Sequence, residues 1–375
     1  HSLENTSNTQ QVAIGYESQQ SATDASGNVS IGARTLKNNT VGNHNVAIGF
    51  ESQTAFQGES NSHNTSVGYK TLHKNTDGKF NTAIGHESLI NNETSHNNTS
   101  VGHDSLHENI AELNNAFGSK SLYKNYNGTN NLAFGSYALY NDVSGSENIA
   151  IGNNSSYKNT KNNNLSIGNN SLHNNESGTQ NISLGNYSAH NSDINNVIAI
   201  GFQSQMNTGD VSSNISIGNF SLQKSQNNQN DNIAIGYESM KNKRYGNKNT
   251  SIGNYSNVGS ANNAGDSNIA IGYETMFDSS CNMNIAIGNK ALKISSGDKN
   301  IAIGEDSMLS TVLGNKNIAI GYKSLNENID GSGNIAIGHQ SQLKNKNSNN
   351  LSMGYMSLYT NVNGNLNTAV GYKSM

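Results

Sequence analysis

Proline is absent from all 375 residues, so no strand in this chain is interrupted by a missing backbone N–H. The single cysteine, Cys281, excludes a disulfide within the chain. It reads as an inert loop thiol, unless a symmetric oligomer brings it against its own copies. Charged residues make up only 13%, and a net charge of −4 is too small to favour nucleic acid or an anionic lipid surface. No apolar run approaches the ~18 residues of a membrane span, so no membrane contact is expected from this segment. Hydrophobic residues reach only 32%, a level that would suit disorder if they were scattered.

They are not scattered. A five-residue phrase, Asn148-Ile149-Ala150-Ile151-Gly152, recurs from end to end. Its closing glycine appears in 22 copies between Gly15 and Gly371, with a mean step of about 17 residues. A period of this size marks a solenoid or array. Length alone would suggest two or three domains, but one solenoid can be any length. The expectation is a single repeat domain over residues 1–375, with 1–10 leading into the first coil. Both ends fall in or beside a repeat, so the chain is expected to be an excerpt or mature fragment of something longer.

With the glycine as origin, the preceding residue is apolar in every copy, from Ile14 to Val370. Two places before it stands Ala or Ser, and three before it Val, Ile, Leu or Thr, except at Asn115. This large–small–large alternation reads as a strand with one buried face, and the aliphatic column is expected to fill the core. The Ala/Ser column then marks a second face where something packs closely. Four places before the glycine stands Asn, except at Gln11 and Val197. That column forms either a ladder in which each side chain bonds to the next coil or a row of turn residues tolerant of left-handed backbone. After the glycine, a small residue at the third place and usually Leu, Met or Gln at the fourth suggest a second short strand and then a polar loop. The glycine supplies an unusual backbone angle or leaves room for close approach. Coils stacked ~4.8 Å apart would make a rod of roughly 100 Å.

The phrase Asn-Ile-Ala-Ile-Gly, continued as Gly236-Tyr237-Glu238-Ser239-Met240 and Gly321-Tyr322-Lys323-Ser324-Leu325, resembles the head repeats of trimeric autotransporter adhesins of the YadA-like kind; similar repeats occur in phage and viral tail fibres. The resemblance covers essentially the whole chain. It implies an all-β, left-handed parallel β-roll of about 22 coils, three chains forming a homotrimeric rod, and an extracellular place on a bacterial surface or virion fibre. It also implies attachment to a host surface protein or glycan receptor. The repeat here is longer than the tightest family repeats, the extra residues lying in the polar loop. No heptad stalk or membrane anchor lies within these residues. A small-residue column on a second face adds a physical reason for contact between chains, since a narrow roll has little volume for its surface.

Catalysis is not expected: no nucleophile elbow, P-loop or zinc motif is present, and neither cofactor nor metal is expected. His86 and His103 share the place after the glycine in successive coils and should stack. In a trimer they would set six imidazoles on one belt, but no carboxylate column accompanies them. Tyr123, Tyr140 and Tyr157, each five places after a glycine, should form a stripe with Tyr126 and Tyr137 nearby. The stripe is either a ligand platform or cross-coil stacking that stabilises the roll. The longest repeats are Gly49–Gly68 and Gly253–Gly272, and Phe56 in the first is a candidate exposed contact. A purely structural spacer and an ice-binding solenoid are the competing functions. The latter would need a flat Thr face, whereas Thr65, Thr82 and Thr99 are expected to point into the core.

Overall fold

The computed structural model describes residues 10–55, 62–191, 193–207, 209, 211–224, 229–243, 245–259 and 265–375. It is an all-β parallel solenoid, and among the described residues there is no helix. The chain divides into two compact units, His1–Asn186 and Tyr187–Met375.

In the first unit, eleven three-residue strands run from Val12–Ile14 to Ile182–Leu184, and each pairs in parallel with its successor. The register is that of the repeat: Leu165 lies on Ile149, Ser166 on Ala150, Ile167 on Ile151. One rung bonds both ways, the Ile149 N–H donating to Asn164 O at 2.9 Å and the Gly152 N–H to Phe134 O at 2.8 Å. In the second unit the same ladder runs from Ile198–Ile200 to Thr368–Val370. Three short parallel pairs accompany it, of which Ile194–Asn195 on Val211–Ser212 is one.

The inside and outside of the strand are reversed from the sequence expectation. Ala150 is fully buried while Ile149 beside it is 38% exposed. The Ala/Ser column points into the coil, and the two aliphatic columns flanking it point out. Opposite the small residues stand the side chains four places after the glycine, Leu36, Leu72, Leu89, Leu106, Leu122, Leu139 and Leu172 in the first unit, all fully buried. A coil of about 17 residues has room for Leu against Ala or Ser, not for Leu against Ile. Thr65, Thr82 and Thr99 accordingly face outward as well, on three successive rungs.

The segment after the glycine is a turn rather than the expected second strand. Its second and fourth residues take left-handed backbone, as at Tyr137 (φ 59°) and Leu139 (φ 51°). That conformation costs a branched side chain roughly 1–2 kcal/mol, an amount that full burial of a leucine offsets. The turn aims Leu inward and leaves the next residue on the wall.

Most polar atoms inside the coil are paired; among the described residues the exceptions include Gln19 and Ser156 Oγ, which stand where other coils have Leu. Where the strand centre is Ser, its hydroxyl meets the Ser three places after the preceding glycine: Ser88 Oγ donates to Ser100 Oγ at 2.6 Å, and Ser171 and Ser183 lie 2.8 Å apart. Where the centre is Ala, that same Ser turns to a carbonyl, Ser188 donating to Ala199 O at 2.8 Å. The Asn column is the ladder. Each Oδ1 accepts the backbone N–H of the next Asn, from Asn81 onto Asn64 and from Asn98 onto Asn81, both at 2.9 Å. Each Nδ2 reaches the next coil's carbonyl, as Asn114 does to Gly128 O at 2.8 Å. The left-handed residue is the one before the Asn, for example Glu147 (φ 61°). Cys281 is buried in the wall, its own carbonyl accepting from Asn268 Nδ2 at 2.7 Å. Burial pushes its thiol up to about 12, so it is the inert thiol expected, buried in the loop between two strands.

Candidate functional site

The turn places one residue per coil, five after the glycine, half-buried on the wall. In the first unit this column is a continuous stack of five rings. His107, Tyr123, Tyr140, Tyr157 and His173 follow at centroid spacings of 4.8, 5.2, 5.1 and 5.1 Å, with interplanar angles no greater than 16°. The spacing is that of the strands, so stacking comes with the fold. The expected tyrosine stripe is present, and a histidine extends it at each end. Tyr137 tilts against Tyr140 and Tyr157 at 5.4 and 6.4 Å. The ammonium groups of Lys120 and Lys124 lie 5.8 and 5.6 Å from the ring centres of Tyr123 and Tyr140. Burial raises the Tyr123 phenol above its ordinary value, with the charges of Asp104 and Glu108 adding to it.

Tyr126 does not join the stripe. It is exposed and lines a shallow depression with Asn91, Glu93, Glu108 and Ile110. Phe56 lies outside the described residues, as does part of each of the two longest repeats.

A second stack stands in the column just after the glycine: Phe50, Tyr69, His86 and His103, at 5.7, 4.9 and 4.9 Å. His86 and His103 stack as expected, but the expectation that no carboxylate accompanies them is overturned. Asp104 Oδ2 is 3.2 Å from His103 Nδ1, and Asp104 Oδ1 is 3.8 Å from His86 Nδ1. Glu87 Oε2 is 3.7 Å from His107 Nε2. These carboxylates stand two places after their glycines, in the left-handed turn position (φ 51° at Glu87, 53° at Asp104). Charged residues recur at that place, among them Glu17, Arg34, Glu51 and Lys70, so the column was readable in the sequence. The turn that brings it beside the histidines was not.

In the second unit the aromatics alternate between the first and second places after the glycine. Phe202, Phe220, Tyr237, Tyr255 and Tyr273 meet edge to face at 5.4 to 6.0 Å. Further along, Tyr322, His339, Tyr355 and Tyr372 stack at 5.0 to 5.3 Å.

The wall of the first unit thus carries flat, half-exposed rings edged by phenol tips, carboxylates and two ammonium groups. Such a surface can meet the apolar face of a sugar or a flat protein patch while its polar edges take hydrogen bonds. No protein-family model matches the chain, and no curated protein matches it.

Proposed function

We propose that this chain is the attachment head of an extracellular homotrimeric fibre, carried on a bacterial surface or a virion, that binds a host surface protein or glycan. The observation that carries the reading is the outward aliphatic face. On rung after rung, two apolar side chains beside the strand centre stand half-exposed, among them Ile149, Ile167 and Ile182 in the first unit and Ile252, Ile269 and Ile287 in the second. Contiguous apolar surface of this kind marks contact with another molecule. A copy of the same chain presents the same face at the same rung spacing, so three chains side by side cover it without a change of register. The sequence motif, similar to YadA-like head repeats, supports a left-handed roll and the trimer. The small-residue column gives that trimer no support, because it lies inside the coil.

The ring ladder supports the binding role and defines the candidate surface. Sedimentation equilibrium tests the assembly: a trimer is expected, and a monomer at micromolar concentration would refute it. A glycan array and a host-cell binding assay test the attachment role, with loss of binding expected on replacing Tyr140. A folded trimer that binds nothing would instead be a spacer within a fibre. Ice binding lacks its surface, since outward Thr runs over no more than three successive rungs, with Thr250 and Thr368 isolated elsewhere; no thermal hysteresis is expected.

A further inference from the structure

The geometry points to a binding site for a divalent late-transition-metal ion on the wall of the first unit, held by His86, His103 and Asp104. Their donor atoms lie within 4.8 Å of one another, and Glu87 and His107 form a second such set on the same Asp104 carboxylate. Donors around one ion at about 2.0–2.2 Å are roughly 3.0–3.6 Å apart. His103 Nδ1 and Asp104 Oδ2, at 3.2 Å, already have that separation, and His86 Nδ1, 3.8 Å from Asp104 Oδ1, must close by only a few tenths of an ångström. The two imidazoles are about half exposed and can turn to do so, whereas the Asp104 side chain is 13% exposed. Its backbone is held by donation from its own N–H to His86 O at 2.9 Å.

A second observation points the same way. Asp104 Oδ1 is buried and accepts no hydrogen bond among the described residues, and His107 Nδ1 is buried without a partner too. Unpaired buried acceptors are costly, and a cation bound between the imidazoles and Asp104 satisfies the carboxylate. Two imidazoles with a carboxylate select Zn2+, Ni2+ or Cu2+ over Ca2+ or Mg2+.

The test is titration of the full chain with Zn2+ by calorimetry, repeated with Co2+ to read the ligand-field bands. His86→Asn and His103→Asn are combined in one variant and Asp104→Asn made in another. Asn occupies these same two places in Asn153 and Asn154, so the fold tolerates it. The control is His339→Asn in the second unit, where the histidine is stacked between tyrosines. Saturable Zn2+ binding is expected in the parent chain and in the control. The other two variants should bind at least about tenfold more weakly, with unchanged circular dichroism. Absence of saturable binding in the parent chain, or undiminished binding in the folded double-histidine variant, overturns the site. Neither result bears on the trimer or on receptor binding.

Discussion

At the scale of single residues, the repeat is most informative where it is broken. Seven places after the glycine the usual residue is a buried Asn, whose amide closes a small ring of bonds. Asn125 Nδ2 donates to Gly128 O at 2.9 Å, and its Oδ1 accepts the Gly128 N–H at 3.2 Å. Asp142 and Lys243 occupy this same place and are buried there. Burial pushes the Asp142 carboxyl up to about 8, although the Gly145 N–H and Asn148 Nδ2 bond to it and favour its charged form. Burial pulls the Lys243 ammonium down to about 8. The signs follow from linkage. Between the ordinary carboxyl value of 3.8 and about 8, folded Asp142 keeps a proton that the unfolded chain has released, so stability falls as pH rises through that window. Between about 8 and 10.5 the unfolded chain holds the Lys243 proton that the folded chain lacks, so stability rises with pH there. Asp142→Asn should therefore match the parent near about pH 3 and exceed it by a few kcal/mol near about pH 8. Lys243→Asn should exceed the parent at neutral pH and lose that advantage above about pH 10. Denaturant unfolding across pH reads both, and a pH-independent difference for Asp142→Asn would refute its assignment.

At the scale of the element, the rung is set by the glycine, for two reasons that the sequence left as alternatives and the structure combines. Gly152 has φ +126°, and a Cβ there would sit 2.7 Å from the carbonyl carbon and oxygen of Gly168 on the next rung. Both the angle and the space exclude a side chain. Because the obstacle is the backbone of the next rung, which cannot move aside as a flexible side chain could, Gly152→Ala should cost several kcal/mol, at the top of the range for single substitutions. A thermal midpoint within a few degrees of the parent would contradict the tight stacking. The ring ladder is a milder constraint. Tyr140 stacks on both neighbours, so Tyr140→Ala should lose about 1–3 kcal/mol and Tyr140→Phe very little. Calorimetric unfolding separates the two. Equal midpoints for Ala and Phe would mean that the rings only line up and do not support one another.

At the scale of the whole molecule, periodicity made the solenoid legible, because 22 glycines in register leave no other way to bury a 17-residue coil. The Asn ladder and the tyrosine stripe were legible for the same reason: a column in sequence is a column in space. What period-2 alternation does not say is which of its two faces is inside. Size and hydrophobicity assigned Ile151 to the core and Ala150 to a contact, and the structure has them the other way round. The missing clue was Leu139, which fills the coil from the opposite side and leaves room only for a small residue. Side chains aimed by a left-handed turn, such as Asp104, were illegible because left-handed non-glycine residues are uncommon and this place is filled by Glu, Arg, Lys and Tyr as readily as by Asp, so no residue type marks it. The inversion makes the assembly testable. If the outward aliphatics serve contact between chains, replacing Ile149, Ile167 and Ile182 together by Lys should reduce the oligomer to monomers that stay folded. Leu172→Ala, which empties the fully buried position of one coil, should cost roughly 2–5 kcal/mol of stability by opening a cavity, leaving the chain that still folds in its original oligomeric state. Sedimentation velocity and denaturant unfolding on both variants decide it. A triple-lysine chain that sediments as the parent does would place the contact between copies elsewhere, or show that there is none.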